Sequence, residues 1–184
     1  MDPRADLAVL ELMVPLVAGF SDAELSFATP CDGWTVRDLL DHMNDEHEAI
    51  VVGLLGPAEL DRDPRVAFGS AAGRWRRAFA EFGSDKTVLV PKFGMSFPVD
   101  AVLGVHLADM VAHTWDLTVA TDRLLPIPEP IVIEAAGMAD VIPDSGDLRG
   151  RKGYGPVLPM PQDASALDRL LRRLGRDPAW QPPT

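Results

Sequence analysis

VDAVLGVHLADMVAHTWDLTVA, residues 99–120, is the most apolar long stretch of the chain and contains no Lys or Arg. Polar groups nevertheless recur along one side of it. At about 100° per residue of an α-helix, His106, Asp109, His113 and Asp116 fall within an arc of roughly 80°, beside Val102, Leu117 and Ala120. A carboxylate or imidazole carried into a core needs a partner, because burying it unpaired costs several kcal/mol. Asp109 and His113 stand at i and i+4, one above the other, a spacing that suits a shared cation. The stretch predicts a long helix that carries half of a metal site.

Immediately before it, Thr87–Val90 and Met95–Phe97 flank Pro91-Lys92-Phe93-Gly94 and predict a short hairpin or extended loop. Pro98 stands at the helix start, where its missing N–H costs nothing. Further upstream, a helix over Val66–Phe82 turns Trp75, Phe79 and Phe82 inward and Arg74, Arg76 and Arg77 mostly outward. The fullest helix-start signal is GWTVRDLL, residues 33–40. Thr35 is its N-cap, Asp38 at N3 can reach back, and Trp34 can staple onto Leu39. Leu39, Met43, Ile50 and Leu54 continue as an apolar stripe, with His42 and Glu46 on its edge and His47 nearer the middle. Gly53 and Gly56 weaken its end.

The first helix runs from Asp2-Pro3 to about Ala18, with Leu7, Leu10, Val14 and Val17 on one face and a kink or break at Pro15. Downstream of Thr121, Pro126, Pro128 and Pro130 enclose an extended piece, followed by a helix over Ile131–Val141 and a Gly/Pro-rich loop from Pro143 to Pro161. Ser165 and Asp168 form a second capping box. It opens a last short helix with Leu167, Leu170, Leu171 and Leu174 on one face and Gly175 as its cap. Four main helices and one polar seam predict an all-α fold: a four-helix bundle with a short hairpin or extended loop before the fourth helix and a small C-terminal helix. Its 184 residues are most simply one domain, 1–184.

The net charge of −11 argues against nucleic acid as a partner, since phosphates would be repelled. The acidity is uneven: residues 32–48 hold six carboxylates and one Arg, whereas residues 149–176 hold seven basic groups and two acidic ones. Cys31 is the only cysteine, which excludes an intrachain disulfide and a Cys-rich zinc site. The acidic N-terminus lacks the basic region of a signal peptide, and the four polar groups on the 99–120 face argue against a membrane span. A cytoplasmic protein, monomeric or homodimeric, is expected.

His, Asp and His drawn from two facing helices make a three-ligand site with an open position, which catalytic metals keep and structural zinc does not. The candidates are His42, Asp109 and His113. Plainer readings stand beside this one. The histidines can be hydrogen-bonded core residues, and an Asp-x-x-x-His pair can be a mutual hydrogen bond. His106 can line the same cavity or replace His42 as ligand. Asp116 can orient His113 or simply pack. Cys31 lies just before the Thr35 cap, where either a lowered thiol pKa or a small packed cysteine is consistent with the sequence.

TPCDGWTVRDLLDH, Thr29–His42, resembles the start of the mycothiol-dependent maleylpyruvate isomerase N-terminal domain group, within the DinB-like superfamily of metal-binding four-helix bundles. ADMVAHTWDLTVAT, Ala108–Thr121, resembles that group's second metal motif. The ending from Tyr154 to Trp180 resembles the tail of an actinobacterial branch of mostly unassigned function. The resemblance implies a DinB-like bundle and places His42, Asp109 and His113 at the three metal-ligand positions. Asp109 stands where the characterised isomerase type has Glu, and that isomerase has a further C-terminal domain. The implied function is a metal-dependent thiol S-transferase or isomerase. A divalent ion, Zn with Ni or another as alternatives, would activate a small thiol such as mycothiol against an electrophilic small molecule. Glu46 and His106 are the candidate acid–base residues. A non-catalytic metal- or ligand-binding bundle and a metal-dependent hydrolase are the alternative readings.

Overall fold

A computed structural model of the chain describes residues 3–80, 86–144 and 154–183. Its main helices are α1 (Pro3–Ala18), α2 (Val36–Leu55), α3 (Pro64–Phe79), α4 (Val99–Thr121), α5 (Glu129–Ala139) and α6 (Ala166–Arg173). The N-cap expected at Asp2 and the inward Phe82 lie outside the described residues. The fold is mostly helical rather than strictly all-α. Strands β1 (Thr87–Val90) and β2 (Met95–Pro98) pair antiparallel, Thr87 opposite Pro98 and Val90 opposite Met95, in the place where the sequence predicts a hairpin.

The start of α2 is fixed as its sequence dictates. Thr35 Oγ1 accepts the Asp38 N–H at 3.2 Å, and Asp38 Oδ2 accepts the Thr35 N–H at 2.9 Å. Two of the N–H groups left over at a helix start are thereby satisfied. The loop before the cap closes on itself. The Thr29 N–H and hydroxyl both donate to the Trp34 carbonyl at 2.9 Å, and the Trp34 N–H donates to the Cys31 carbonyl at 2.9 Å. Cys31 and Trp34 are thus carried on a rigid loop rather than a free connection. Trp34 meets the His42 ring edge-on, with centroids 4.9 Å apart, so it supports the candidate ligand about two turns into the helix.

Helix α1 runs through Pro15 without interruption, burying Val9, Leu10, Met13 and Val17 against α3 and α4. Helix α3 starts two residues earlier than its apolar pattern suggests, because Asp63 caps it by accepting the Arg65 N–H at 2.9 Å, with Pro64 at the first position. Helix α4 is buried around most of its circumference, between α1, α5, α6 and the facing side of α2. Gly53 has a packing reason: a Cβ there would stand 2.7 Å from the Leu89 carbonyl oxygen, so its absence lets the hairpin lie on α2. A glycine that reads as a weak helix end is instead a docking point.

Candidate functional site

All four histidines of the chain lie where α2 and α4 face each other. His42 and His113 meet edge-to-face with ring centroids 5.8 Å apart, and His47 and His106 meet at 4.9 Å. Residue number rises along α2 as it falls along α4, so the helices run antiparallel and the imidazoles form two rungs. The upper rung opens on a cleft of about 600 Å³ lined by Trp34, Asp38, Asp41, His42, Glu46 and Lys92, among others. The lower rung is enclosed.

In the upper rung, His113 is 4 % exposed and its Nδ1 is 3.0 Å from Asp116 Oδ2. The carboxylate of Asp116 is wholly buried and is also held by Arg176 Nη2 at 3.2 Å, from the segment after α6. Burial alone would raise the Asp116 pKa, but the guanidinium and the imidazole N–H outweigh it and hold the carboxyl below its ordinary range. An ionised Asp116 accepts the proton on His113 Nδ1 and leaves Nε2 as the nitrogen available to another partner. Cys31 Sγ is 3.5 Å from Asp116 Oδ2 and 3.4 Å from Arg176 Nη2. Burial and the Asp116 charge push its thiol up to about 12, so it is a protonated, packed thiol and not the activated one that a helix start could produce.

Asp109, one turn before His113, accepts a hydrogen bond from Tyr154 Oη at 2.6 Å. Burial raises the Asp109 pKa, opposed by His113 and by the Tyr154 hydroxyl. Glu46 lies in the cleft wall and is ion-paired with Lys92 at 2.5 Å. Burial, with Asp45 and Asp38 nearby, raises the Asp41 pKa there.

The lower rung is built differently from what the sequence suggests. His106 Nδ1 is 2.5 Å from Asp6 Oδ1, and Trp75 Nε1 donates to Asp6 Oδ2 at 2.8 Å. Trp75 stacks on the His106 ring at 3.7 Å. Asp6 is 0 % exposed, and the cleft lining does not include His106. His47, also 0 % exposed, has neither ring nitrogen hydrogen-bonded, and burial keeps it neutral with a pKa well below the ordinary value. No local motif marks Asp6 as a partner of His106. The spacing of Asp6 to Leu10, Met13 and Val17 on the buried face of α1 is the signal that marks it as buried. Tyr154 and Arg176 carry no comparable sequence signal.

Among the described residues, Cys31, His113 and Asp116 bring one ligand atom each within 4.8 Å of one another and could hold a metal ion. In that group, however, the His113 Nδ1–H and the Cys31 thiol already converge on Asp116. The His42–His113 pair offers the other arrangement. With metal–nitrogen bonds of about 2.0–2.1 Å, two imidazoles on one ion have centroids roughly 5–6.4 Å apart. The observed 5.8 Å lies inside that span, and Asp109 is on the same helix as His113, but His42, Asp109 and His113 do not bring their ligand atoms as close together as Cys31, His113 and Asp116 do. The donor set of two imidazoles and a carboxylate fits a divalent metal.

Residues 8–69 match the family described as the mycothiol maleylpyruvate isomerase N-terminal domain. Two uncharacterized proteins of Mycobacterium tuberculosis, one from strain CDC 1551 / Oshkosh and one from strain ATCC 25618 / H37Rv, are each 28 % identical over 96 % of this chain and 98 % of their own length. No solved structure matches the chain. No helix among the described residues is long and apolar enough to cross a membrane. The match covers most of α1, the loop, α2 and the start of α3, which are similar to this domain, while α4 and the residues after it lie outside it.

Proposed function

We propose that this chain binds one divalent metal through His42, Asp109 and His113 and uses it in mycothiol-type thiol transfer or isomerisation of a small electrophile. The observation that carries the reading is the His42–His113 pair, 5.8 Å apart at a cleft, with Asp116 holding the second nitrogen of His113. A metal-bound imidazole ordinarily has such an outer partner, which fixes its tautomer and raises its basicity. The family match to a mycothiol-related domain agrees with this chemistry. On this reading α1 to α4 form a DinB-like four-helix bundle, residues 1–184 act as one domain, and the protein works in the cytoplasm as a monomer or homodimer.

A divalent ion in this site supplies the Lewis acidity that lets a bound small thiol ionise near neutral pH, zinc being the first candidate and nickel an alternative. The chain's own cysteine does not fill that role, because Cys31 is a high-pKa thiol bonded to Asp116 and Arg176. The nucleophilic thiol therefore has to come from a co-substrate entering by the cleft. Trp34 and His42 line that cleft, and Glu46, one of its carboxylates, would accept a proton there. His106, committed to Asp6 in the lower rung, supports the core rather than the cleft.

The test is a thiol-conjugation assay with mycothiol and a panel of small electrophiles, run with and without chelator and with His113→Ala. Metal-dependent turnover that His113→Ala abolishes supports the reading. Metal binding without turnover on any electrophile would leave a non-catalytic metal-binding bundle in its place.

A further inference from the structure

Two carboxylates beside His113 are both held from the same remote segment. Tyr154 Oη donates to Asp109 Oδ1 at 2.6 Å, and Arg176 Nη2 donates to Asp116 Oδ2 at 3.2 Å. These residues are 22 positions apart in sequence, with α6 between them. They are brought together by a close backbone crossing. The Gly155 N–H donates to the Leu174 carbonyl at 3.3 Å, and the Leu158 N–H donates to the Arg172 carbonyl at 3.0 Å. A Cβ on Gly175 would stand 2.5 Å from the Gly155 Cα, and Gly175 has φ +80°, so only glycine fits the crossing. The Arg176 backbone N–H is itself tied to the Leu171 carbonyl at 2.8 Å, and its Nη1 donates to the Leu174 carbonyl at 2.9 Å. Leu170, Leu171 and Leu174 are fully buried against the rest of the core. The segment is anchored by its leucines and reaches the site with two polar tips.

We infer that residues 154–176 form a clip that completes the metal site, with Tyr154 positioning Asp109 and Arg176 positioning His113 through Asp116. The inference rests on the metal reading above and adds to it two residues outside the matched segment 8–69. Carboxylate ligands, like imidazole ligands, are held by outer hydrogen bonds, and loss of one such partner typically lowers metal affinity 10- to 100-fold. A Tyr O–H on one carboxylate oxygen leaves the other oxygen to face the ion. It also fixes the rotamer of the Asp109 side chain. Arg176 is 3 % exposed and spends its charge on Asp116, so it cannot also serve as a contact for substrate.

The experiment is a cobalt(II) titration of the untagged full chain followed by its visible absorption, with wild type, Tyr154→Phe, Asp109→Asn, their double variant, Arg176→Lys, Arg176→Met, His113→Ala and Leu171→Ala. Tyr154→Phe removes one hydroxyl and no packing. It should lower Co²⁺ affinity at least tenfold and alter the absorption bands, with the circular dichroism unchanged. Arg176→Lys keeps the charge and should retain more affinity than Arg176→Met. Leu171→Ala, which damages the clip's anchor rather than its tips, should lower thermal stability. In a double-mutant cycle, Tyr154→Phe should add nothing to Asp109→Asn. A Tyr154→Phe protein with wild-type affinity and spectrum would overturn the clip while leaving the metal site standing. A wild type that takes up no Co²⁺, or takes it up equally well as His113→Ala, would overturn the metal reading and the clip with it.

Discussion

Replacing Asp6 by Ala should be among the most damaging single changes in the protein, although Asp6 touches neither the cleft nor the upper histidine rung. Its carboxylate is 0 % exposed and accepts two hydrogen bonds, from Trp75 Nε1 at 2.8 Å and from His106 Nδ1 at 2.5 Å. Truncation leaves both donors buried without an acceptor, at about 1–3 kcal/mol each. The cost therefore sums to roughly 2–6 kcal/mol, a large part of an ordinary domain's stability. Asp6→Asn keeps one acceptor oxygen and should fall between wild type and Asp6→Ala. Urea denaturation followed by tryptophan fluorescence measures the difference, with Trp75 itself a reporter beside the site. An Asp6→Ala protein within about 0.5 kcal/mol of wild type would show that the buried carboxylate is not holding these two donors.

Thr35→Ala removes a reciprocal cap and should cost about 0.5–2 kcal/mol, lowering Tm by a few degrees by calorimetry; an unchanged Tm would mean the cap is idle. His47 has a depressed pKa in the fold, so the unfolded chain binds its proton first and stability falls as pH drops below about 6.5, by about 1.4 kcal/mol per unit. His47→Phe should remove that slope between pH 6.5 and 5, as read from urea midpoints at several pH values. Glu24, held down to about 2 by Arg123 and Ser21, contributes stability that is present above its ordinary value and lost as the pH falls from about 4.5 toward 2; Glu24→Gln should flatten acid unfolding in that range. Cys31, with its thiol near 12, should react with iodoacetamide at pH 8 far more slowly in the folded protein than in urea, as followed by mass spectrometry.

The parts of the fold written in local chemistry were legible in the sequence. Thr35 with Asp38, Ser165 with Asp168, and the Pro-flanked hairpin all depend on neighbours within a few residues; the first is a full capping box, the second caps α6 through the Ser165 side chain accepting the Asp168 N–H, and the hairpin stands where its motif puts it. The long helix was legible because few other structures suit an apolar run whose polar groups share one face. What escaped was long-range pairing. Nothing near Asp6 announces that its partner lies 100 residues away on α4, and nothing in the GRDPAW ending says that Arg176 reaches Asp116. The apolar periodicity of α3 begins after Asp63, so periodicity alone does not mark it as the cap. His106 illustrates the ambiguity that periodicity cannot resolve. It shares the polar arc with His113, but about two turns nearer the start of α4 that arc meets Asp6 of α1 instead of the cleft. The pairing of His42 with His113 was expected from two motifs 71 residues apart, and the two rings do face each other.

Metal content tests the central claim most directly. Protein purified without a histidine tag and analysed by inductively coupled plasma mass spectrometry should carry, or take up after dialysis against a divalent salt, one ion per chain. His42→Ala and His113→Ala should each abolish that uptake with the helical circular dichroism intact, whereas His106→Gln should leave it nearly unchanged. A wild type that holds no divalent ion would contradict the account. So would uptake lost in His106→Gln but kept in His42→Ala, which would move the site to His106, Asp109 and His113.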